Sequence, residues 1–147
     1  MLSIAIHVIY GSESAVDLSD EQIGVLLERA RRMNQAANIT GILLLIEGSF
    51  FQILEGDPQA VDQLYSKIAR DPRHRRVVKL IEEPIRERDF QDWSMGLARL
   101  KSKELSLVSG FNDFFTAGHS LADLRPGLAR KLLAAFRDGQ WRSRVAQ

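Results

Sequence analysis

Gln52 is an amide set in the middle of an apolar run, Phe50-Phe51-Gln52-Ile53-Leu54. Leaving the donors and acceptor of a buried amide unpaired costs about 1–3 kcal/mol. Either Gln52 faces water or something polar faces it. Three further features have matching chemistry: the phenol of Tyr10, the amide of Asn34, and the Trp93–Met95 pair. Each has a plain account by itself, as a strand-end tyrosine, a helix cap or a core aromatic. Gathered in one space, a phenol, two amides and a soft apolar wall suit a flat heteroaromatic ligand with a hydrogen-bonding edge. A second group is basic, Asp71-Pro72-Arg73-His74-Arg75-Arg76, with Lys67 one turn earlier. Its plain reading is a solvated turn. Its functional reading is an anion grip, because guanidinium and imidazole groups at a helix end hold phosphates.

Other chemistries have little support. His7, His74 and His119 are not in metal-ligand spacing, and no GxSxG, P-loop or GxGxxG pattern occurs. The paired acids Glu82-Glu83 and Glu55/Asp57 read as solvated turns at strand ends. Cysteine is absent, which excludes disulfides, zinc–thiolate sites and thiol catalysis. No enzyme is expected. A net charge of +1 gives no reason to expect nucleic acid or a membrane surface as partner. The N-terminus lacks a basic, then apolar, export signal, and no apolar run approaches the roughly 20 residues of a membrane helix. A cytoplasmic location is expected.

The elements that position these residues follow from periodicity. Ser3–Tyr10 is β-branched and reads as a strand, with Gly11-Ser12-Glu13-Ser14 as the turn after it. A helix starts at Ser19 or Asp17 and buries Ile23, Leu26, Leu27 and Ala30, with Asn34 at its C-terminal end. Two apolar runs, Ile39–Ile46 and Ser49–Leu54, form a hairpin about Gly48. A second helix begins with Asp57 as N-cap and Pro58 in its first turn, and stops at Asp71-Pro72. Val77–Ile81 is a fourth strand. A fifth, about Asp92–Leu97, places Trp93, Met95 and Leu97 on one face. The order β-α-β-β-α-β-β with a right-handed first crossover gives an α+β, ferredoxin-like sheet in which the first and third strands are neighbours. Tyr10 and Gln52 then lie side by side beneath both helices, and Trp93 and Met95 point into the same space.

The other sheet face, with Ala5, Ile9, Ile42, Leu44, Phe51 and Ile53, is equally apolar and needs its own cover. Residues 101–147 are expected to supply it as helices, with Leu121, Leu124, Leu128, Leu132 and Phe136 at helical spacing, unless a partner chain does. The division is therefore a sensor unit over residues 1–100 and a helical extension over 101–147. The basic tail around Trp141 is either a frayed end or a partner contact.

The sequence resembles the BLUF family of flavin-binding blue-light sensors. Tyr10-Gly11-Ser12, Asn34 followed by Ile39-Thr40-Gly41-Ile42-Leu43, Phe51-Gln52-Ile53-Leu54-Glu55-Gly56, Asp71-Pro72-Arg73-His74 and Phe90-Gln91-Asp92-Trp93-Ser94-Met95 arrive in the family's order. The resemblance implies a non-covalently bound flavin, FAD by family habit, with FMN or riboflavin as alternatives. It implies that Tyr10 donates an electron to the photoexcited ring, that Gln52 bridges Tyr10 and the ring edge, and that Asn34 bonds the ring's carbonyl and imide edge. Lys67, Asp71, Arg73 and His74 would hold the ribityl chain and phosphates, while Trp93 and Met95 couple the site to the fifth strand. Met33 and Ala30 depart from the polar residues often found there, so fewer contacts to the ring are expected on that side.

Residues 101–147 match no cyclase, phosphodiesterase or DNA-binding pattern. The signal is expected to leave by contact with a downstream protein or within a homo-oligomer. Two competing readings belong to other classes: an RRM-like RNA binder stacking bases on Tyr10, Phe50 and Phe51, and a small-metabolite regulatory domain without photochemistry. Phe50 and Phe51 face opposite ways along a strand and both faces look covered, which argues against the first.

Overall fold

A computed structural model describes residues 4–15, 17–46, 48–105, 108, 111, 114 and 119–139. The tail around Trp141 lies outside the described residues.

The sheet holds five strands in the order β4-β1-β3-β2-β5. These are β1 (Ala5–Ser14), β2 (Thr40–Ile46), β3 (Ser49–Gly56), β4 (His74–Ile85) and β5 (Gly96–Arg99). β3 runs antiparallel between β1 and β2, and β5 joins β2 in parallel. This is the expected ferredoxin-like arrangement with one added edge strand. The β2–β3 hairpin turns at Gly48, whose φ of 79° lies in the left-handed region that glycine enters without a Cβ penalty.

Helix α1 (Asp20–Ala36) starts at a capping box: the Ser19 hydroxyl accepts from Gln22 N, and the Gln22 amide returns the bond to Ser19 N. Helix α2 (Pro58–Arg70) starts at Asp57, which accepts from Gln59 N and Ala60 N. Both helices cover the face carrying Val8, Tyr10, Leu43, Phe50, Leu54 and Leu97.

The second cover is the C-terminal segment: a short helix α3 (Ser102–Leu105), a 3-10 turn at Leu121–Asp123 and helix α4 (Pro126–Arg137). Leu105, Leu121, Leu132, Leu133 and Phe136 share one core with Ile9, Ile42, Leu44, Phe51 and Ile53. The approach is close enough to require glycine. A Cβ built on Gly11 would stand 2.1 Å from the Leu121 carbonyl oxygen.

Three boundaries differ from expectation. Gly11–Ser14 extends β1 instead of turning, because this stretch is paired on both sides, Gly11 with Phe51 and Val78, and Ser12 with Phe50 and Val77. β4 begins at His74 and runs through Pro84 to Ile85. An edge strand tolerates proline because one side of its ladder is unpaired. Finally, residues 90–95 are turns rather than strand, and β5 starts only at Gly96.

Candidate functional site

Three elements converge between α1 and α2. β1 and β3 pair with Tyr10 opposite Gln52, so both side chains rise from adjacent strands on the helix-covered face. Between Ile9 and Tyr10 the β1–β4 register slips: Ile9 pairs with Ile81 but Tyr10 with Lys79. Such bulges re-aim side chains next to functional sites. Tyr10 is 1% exposed and Gln52 6%. The Tyr10 hydroxyl donates to Gln52 Oε1, while Gln52 Nε2 donates to Met95 Sδ at 3.3 Å. The misplaced amide of the sequence is thus held between a phenol and a thioether.

Asn34 is buried at the end of α1 because its amide closes onto the chain entering β5. Asn34 Nδ2 donates to the Ser94 carbonyl at 2.7 Å, and Arg31 Nε to the Met95 carbonyl at 3.0 Å. One N–H of Asn34 is engaged, leaving its other N–H and its oxygen for the space beside it.

That space is a cavity of about 280 Å³ lined by Tyr10, Asn34, Leu43, Phe50, Gln52 and Leu64, among others, with Arg29, Lys67, Asp71, Arg73 and His74 also on its wall. Arg29 shares a helical face with Leu26, Ala30 and Met33, which the i, i+3, i+4 spacing contained. Ala30 and Met33 also line the cavity, so the two departures from the family pattern make this wall apolar.

Electrostatics divides the cavity. Burial pushes the Tyr10 phenol well above its ordinary pKa, with Tyr65 and Asp71 adding to the effect, so the hydroxyl keeps its proton at neutral pH. Near the wall's polar end, hydrogen bonds from Arg73 (Nε to Oδ1 at 3.0 Å, Nε to Oδ2 at 3.1 Å) hold the Asp71 carboxyl down to about 2. His74 serves as wall more than as cation. Its Nδ1 lies 2.9 Å from Ser12 Oγ, its ring sits 5.3 Å from Phe50, and burial lowers its pKa against the pull of Asp71. Arg29, Lys67 and Arg73 therefore supply the positive charge.

Trp93 is not in this space. It is stacked on Phe90 at 5.8 Å and 15° on the opposite side, in the core shared with the C-terminal segment. The expected alternation of Trp93 with Met95 fails because residues 90–95 are not extended. Met95 alone faces Gln52. Glu55, read as a solvated acid, is fully buried. Among the described residues no group of three or more His, Asp or Glu is placed to hold a metal, and no helix is long and apolar enough to cross a membrane.

A buried phenol–amide pair floors an apolar cleft whose wall also carries cationic side chains. The pattern of the BLUF family, sensors of blue light using FAD, matches residues 5–96, and the chain belongs to that family. It is 35% identical over 96 residues to the blue light- and temperature-regulated antirepressor BluF of Escherichia coli (strain K12), a match covering 65% of this chain and 24% of that protein. It is 38% identical over 87 residues to the photoactivated adenylate cyclase subunit beta of Euglena longa, covering 58% of this chain and 10% of that one. The chain thus spans a quarter or less of these relatives. Among solved structures, BlsA in its ground state superposes with a TM-score of 0.73 at 27% identity, over 90% of this chain and 87% of that one. The dark-state structure of BlrB, a BLUF protein, gives 0.68 at 29% identity, over 92% and 99%. These relatives carry the blue-light, flavin-using class and the ferredoxin-like fold. The RNA-binding and metabolite-binding readings are not favoured.

Proposed function

We propose that this chain is a blue-light photoreceptor in which the Tyr10–Gln52 pair converts light absorption by a bound FAD into a turned amide. The observation that carries the reading is the Tyr10 hydroxyl bonded to Gln52 Oε1 on the floor of the cavity, with Met95 Sδ behind the amide. The residues present fit the group. Gln52 and Asn34 would hold its polar edge, Leu43, Leu64 and Phe50 would enclose the ring, and Arg29, Lys67 and Arg73 would meet the phosphates.

When bound, the flavin supplies absorption of blue light and an excited state that accepts an electron. The protein's part begins with Tyr10, whose hydroxyl becomes strongly acidic once an electron leaves. Its proton already points at a buried acceptor, Gln52 Oε1. A protonated amide oxygen loses its double-bond character, so the side chain turns or exchanges tautomer; the electron and a proton then both return to Tyr10, restoring the neutral phenol beside an amide in a new orientation. The barrier on the far side is low, because a thioether sulfur is a weak acceptor. The turned amide presents a different hydrogen-bonding group to the cavity, shifts the absorption to the red, and alters the contact with Met95 at the root of β5. No bond to the protein forms, in keeping with the absence of cysteine.

Residues 1–100 act as the sensing unit, and residues 101–147 carry the change to a protein effector in trans or within a homo-oligomer, in two-state fashion. The test is direct. The purified protein should be yellow and show a reversible red shift in blue light, and Tyr10→Phe should bind flavin without forming the long-lived shifted state. A colourless protein that takes up no added flavin refutes the reading. A full photocycle in Tyr10→Phe refutes the role of Tyr10.

A further inference from the structure

β3 presents polar side chains to both covers of the sheet. Gln52 faces the cavity. Three residues on, Glu55 points to the other side and is 0% exposed. Its carboxylate has three donors: Thr40 Oγ1 at 2.9 Å and Phe90 N at 3.1 Å to Oε1, and Asp89 N at 2.7 Å to Oε2. Arg88 Nη1 donates to the same Thr40 hydroxyl at 3.1 Å. Among the described residues Glu55 forms no ion pair. The charged groups around it are Arg88 and Asp89 on the β4–β5 connection and His7, its register partner on β1, which bonds Glu83 at 2.8 Å. Burial pushes its pKa up, opposed by the three hydrogen bonds. A buried carboxylate without a cation is an expensive way to hold two backbone N–H groups, so its placement calls for a reason beyond packing.

The connection it holds leads to Met95 through an unbroken set of contacts. Trp93 N donates to the Phe90 carbonyl at 3.0 Å and the two rings stack; the Trp93 carbonyl accepts from Gly41 N at 3.0 Å. The Ser94 and Met95 carbonyls accept from Asn34 and Arg31, and Met95 Sδ accepts from Gln52. Residues 89–95 form a bar fastened to β3 at both ends, by Glu55 through the backbone and by Gln52 through Met95.

We propose that Glu55 is a positioning residue: by gripping the Asp89 and Phe90 amides it fixes Met95 against Gln52 and so sets the lifetime of the turned amide. The lifetime rests on the light-driven reading above; the grip on Met95 does not.

The test compares Glu55→Gln with Thr40→Val. The first sets an NH2 donor against a backbone N–H. The second removes a side-chain donor and leaves the backbone grip. Losing a hydrogen bond between the carboxylate and a backbone N–H of residues 89–90 corresponds to about a tenfold or larger change in the local opening of that stretch. In flavin-free protein, Glu55→Gln should therefore raise amide hydrogen exchange at residues 89–95 by about tenfold, while Thr40→Val leaves it near wild type. In the flavin-loaded protein, return from the red-shifted state should accelerate several-fold in Glu55→Gln and stay unchanged in Thr40→Val, with flavin affinity retained in both. Glu55→Asp, which keeps the charge but withdraws the carboxylate, should act like Glu55→Gln and serves if the glutamine variant does not fold. Exchange and recovery unaltered in the Glu55 variants, or altered equally in Thr40→Val, overturn the proposal. Failure to bind flavin would instead strike the light-driven reading, while the exchange measurement still decides whether Glu55 positions Met95.

Discussion

The hydrogen bond between Tyr10 and Gln52 can be measured with no flavin present. In Gln52→Leu the phenol keeps its buried hydroxyl and loses its acceptor, and an unpaired buried hydroxyl costs about 1–3 kcal/mol. In Tyr10→Phe the amide oxygen is stranded at a similar cost. The double variant removes both polar groups and replaces them with apolar ones of similar size, a change that is nearly neutral. The two single losses should therefore fail to add by about 1–3 kcal/mol. Urea unfolding of the flavin-free protein at constant m-value reads this coupling, and each kcal/mol should also move the melting temperature by about 2–4 °C for a chain of this size. Additive effects within about 0.5 kcal/mol would refute the pairing on which the whole photochemical argument stands.

Other predictions use the same structure. Lys67→Gln should weaken FAD and FMN binding about tenfold, the loss expected of one charge-assisted contact, and leave riboflavin binding unchanged in a fluorescence titration; an equal loss for riboflavin would remove the phosphate role. The hydrogen bonds that hold Asp71 and Glu83 to about 2 (Glu83 chiefly by Arg130, then His7) mean that both favour the folded state above the ordinary carboxylate range. Their contribution should be intact at pH 6 and disappear as the pH falls from about 4.5 towards 2, and Glu83→Gln should flatten that slope in denaturant midpoints. Glu55 has the opposite sign and a different window, since its raised pKa makes its burial more costly as the pH rises above the ordinary carboxylate range. Gly11→Ala should destabilise the protein by about 1–3 kcal/mol through overpacking, with the loss registered in near-ultraviolet circular dichroism of the C-terminal core; an unperturbed protein would mean that the Leu121 carbonyl yields easily.

The sheet and its two covers were legible because hydrophobic alternation has only one consistent solution. Phe51 and Ile53 had to face away from Phe50 and Gln52, and an apolar second face demanded the C-terminal helices. Tyr10 beside Gln52 followed from strand order alone. What misled was chemistry that depends on distant partners. Gly11-Ser12-Glu13-Ser14 has turn composition, yet strands on both sides hold it extended. Trp93 and Met95 have strand spacing, yet side chains elsewhere in the sequence, Glu55 and Asn34, bend the stretch between Phe90 and Met95 into turns and send Trp93 to the other face. Glu55 looked solvated because nothing local shows that the Asp89 and Phe90 amides come to meet it. Arg29 was recoverable from its helical phase, on the face of Leu26, Ala30 and Met33.

Gly11 bears on how the molecule can be taken apart. Tyr10 lines the cavity, and its next neighbour lies against the Leu121 carbonyl, so one peptide unit separates the cavity wall from the C-terminal cover. Side chains from before and after Leu100 share one core. A fragment cut there would bare Ile9, Ile42, Phe51 and Ile53 to water, and a light-responsive fusion built from it would graft an unfinished sheet. Engineering with this chain therefore has to begin after Gly139, with the C-terminal cover carried as part of the fold.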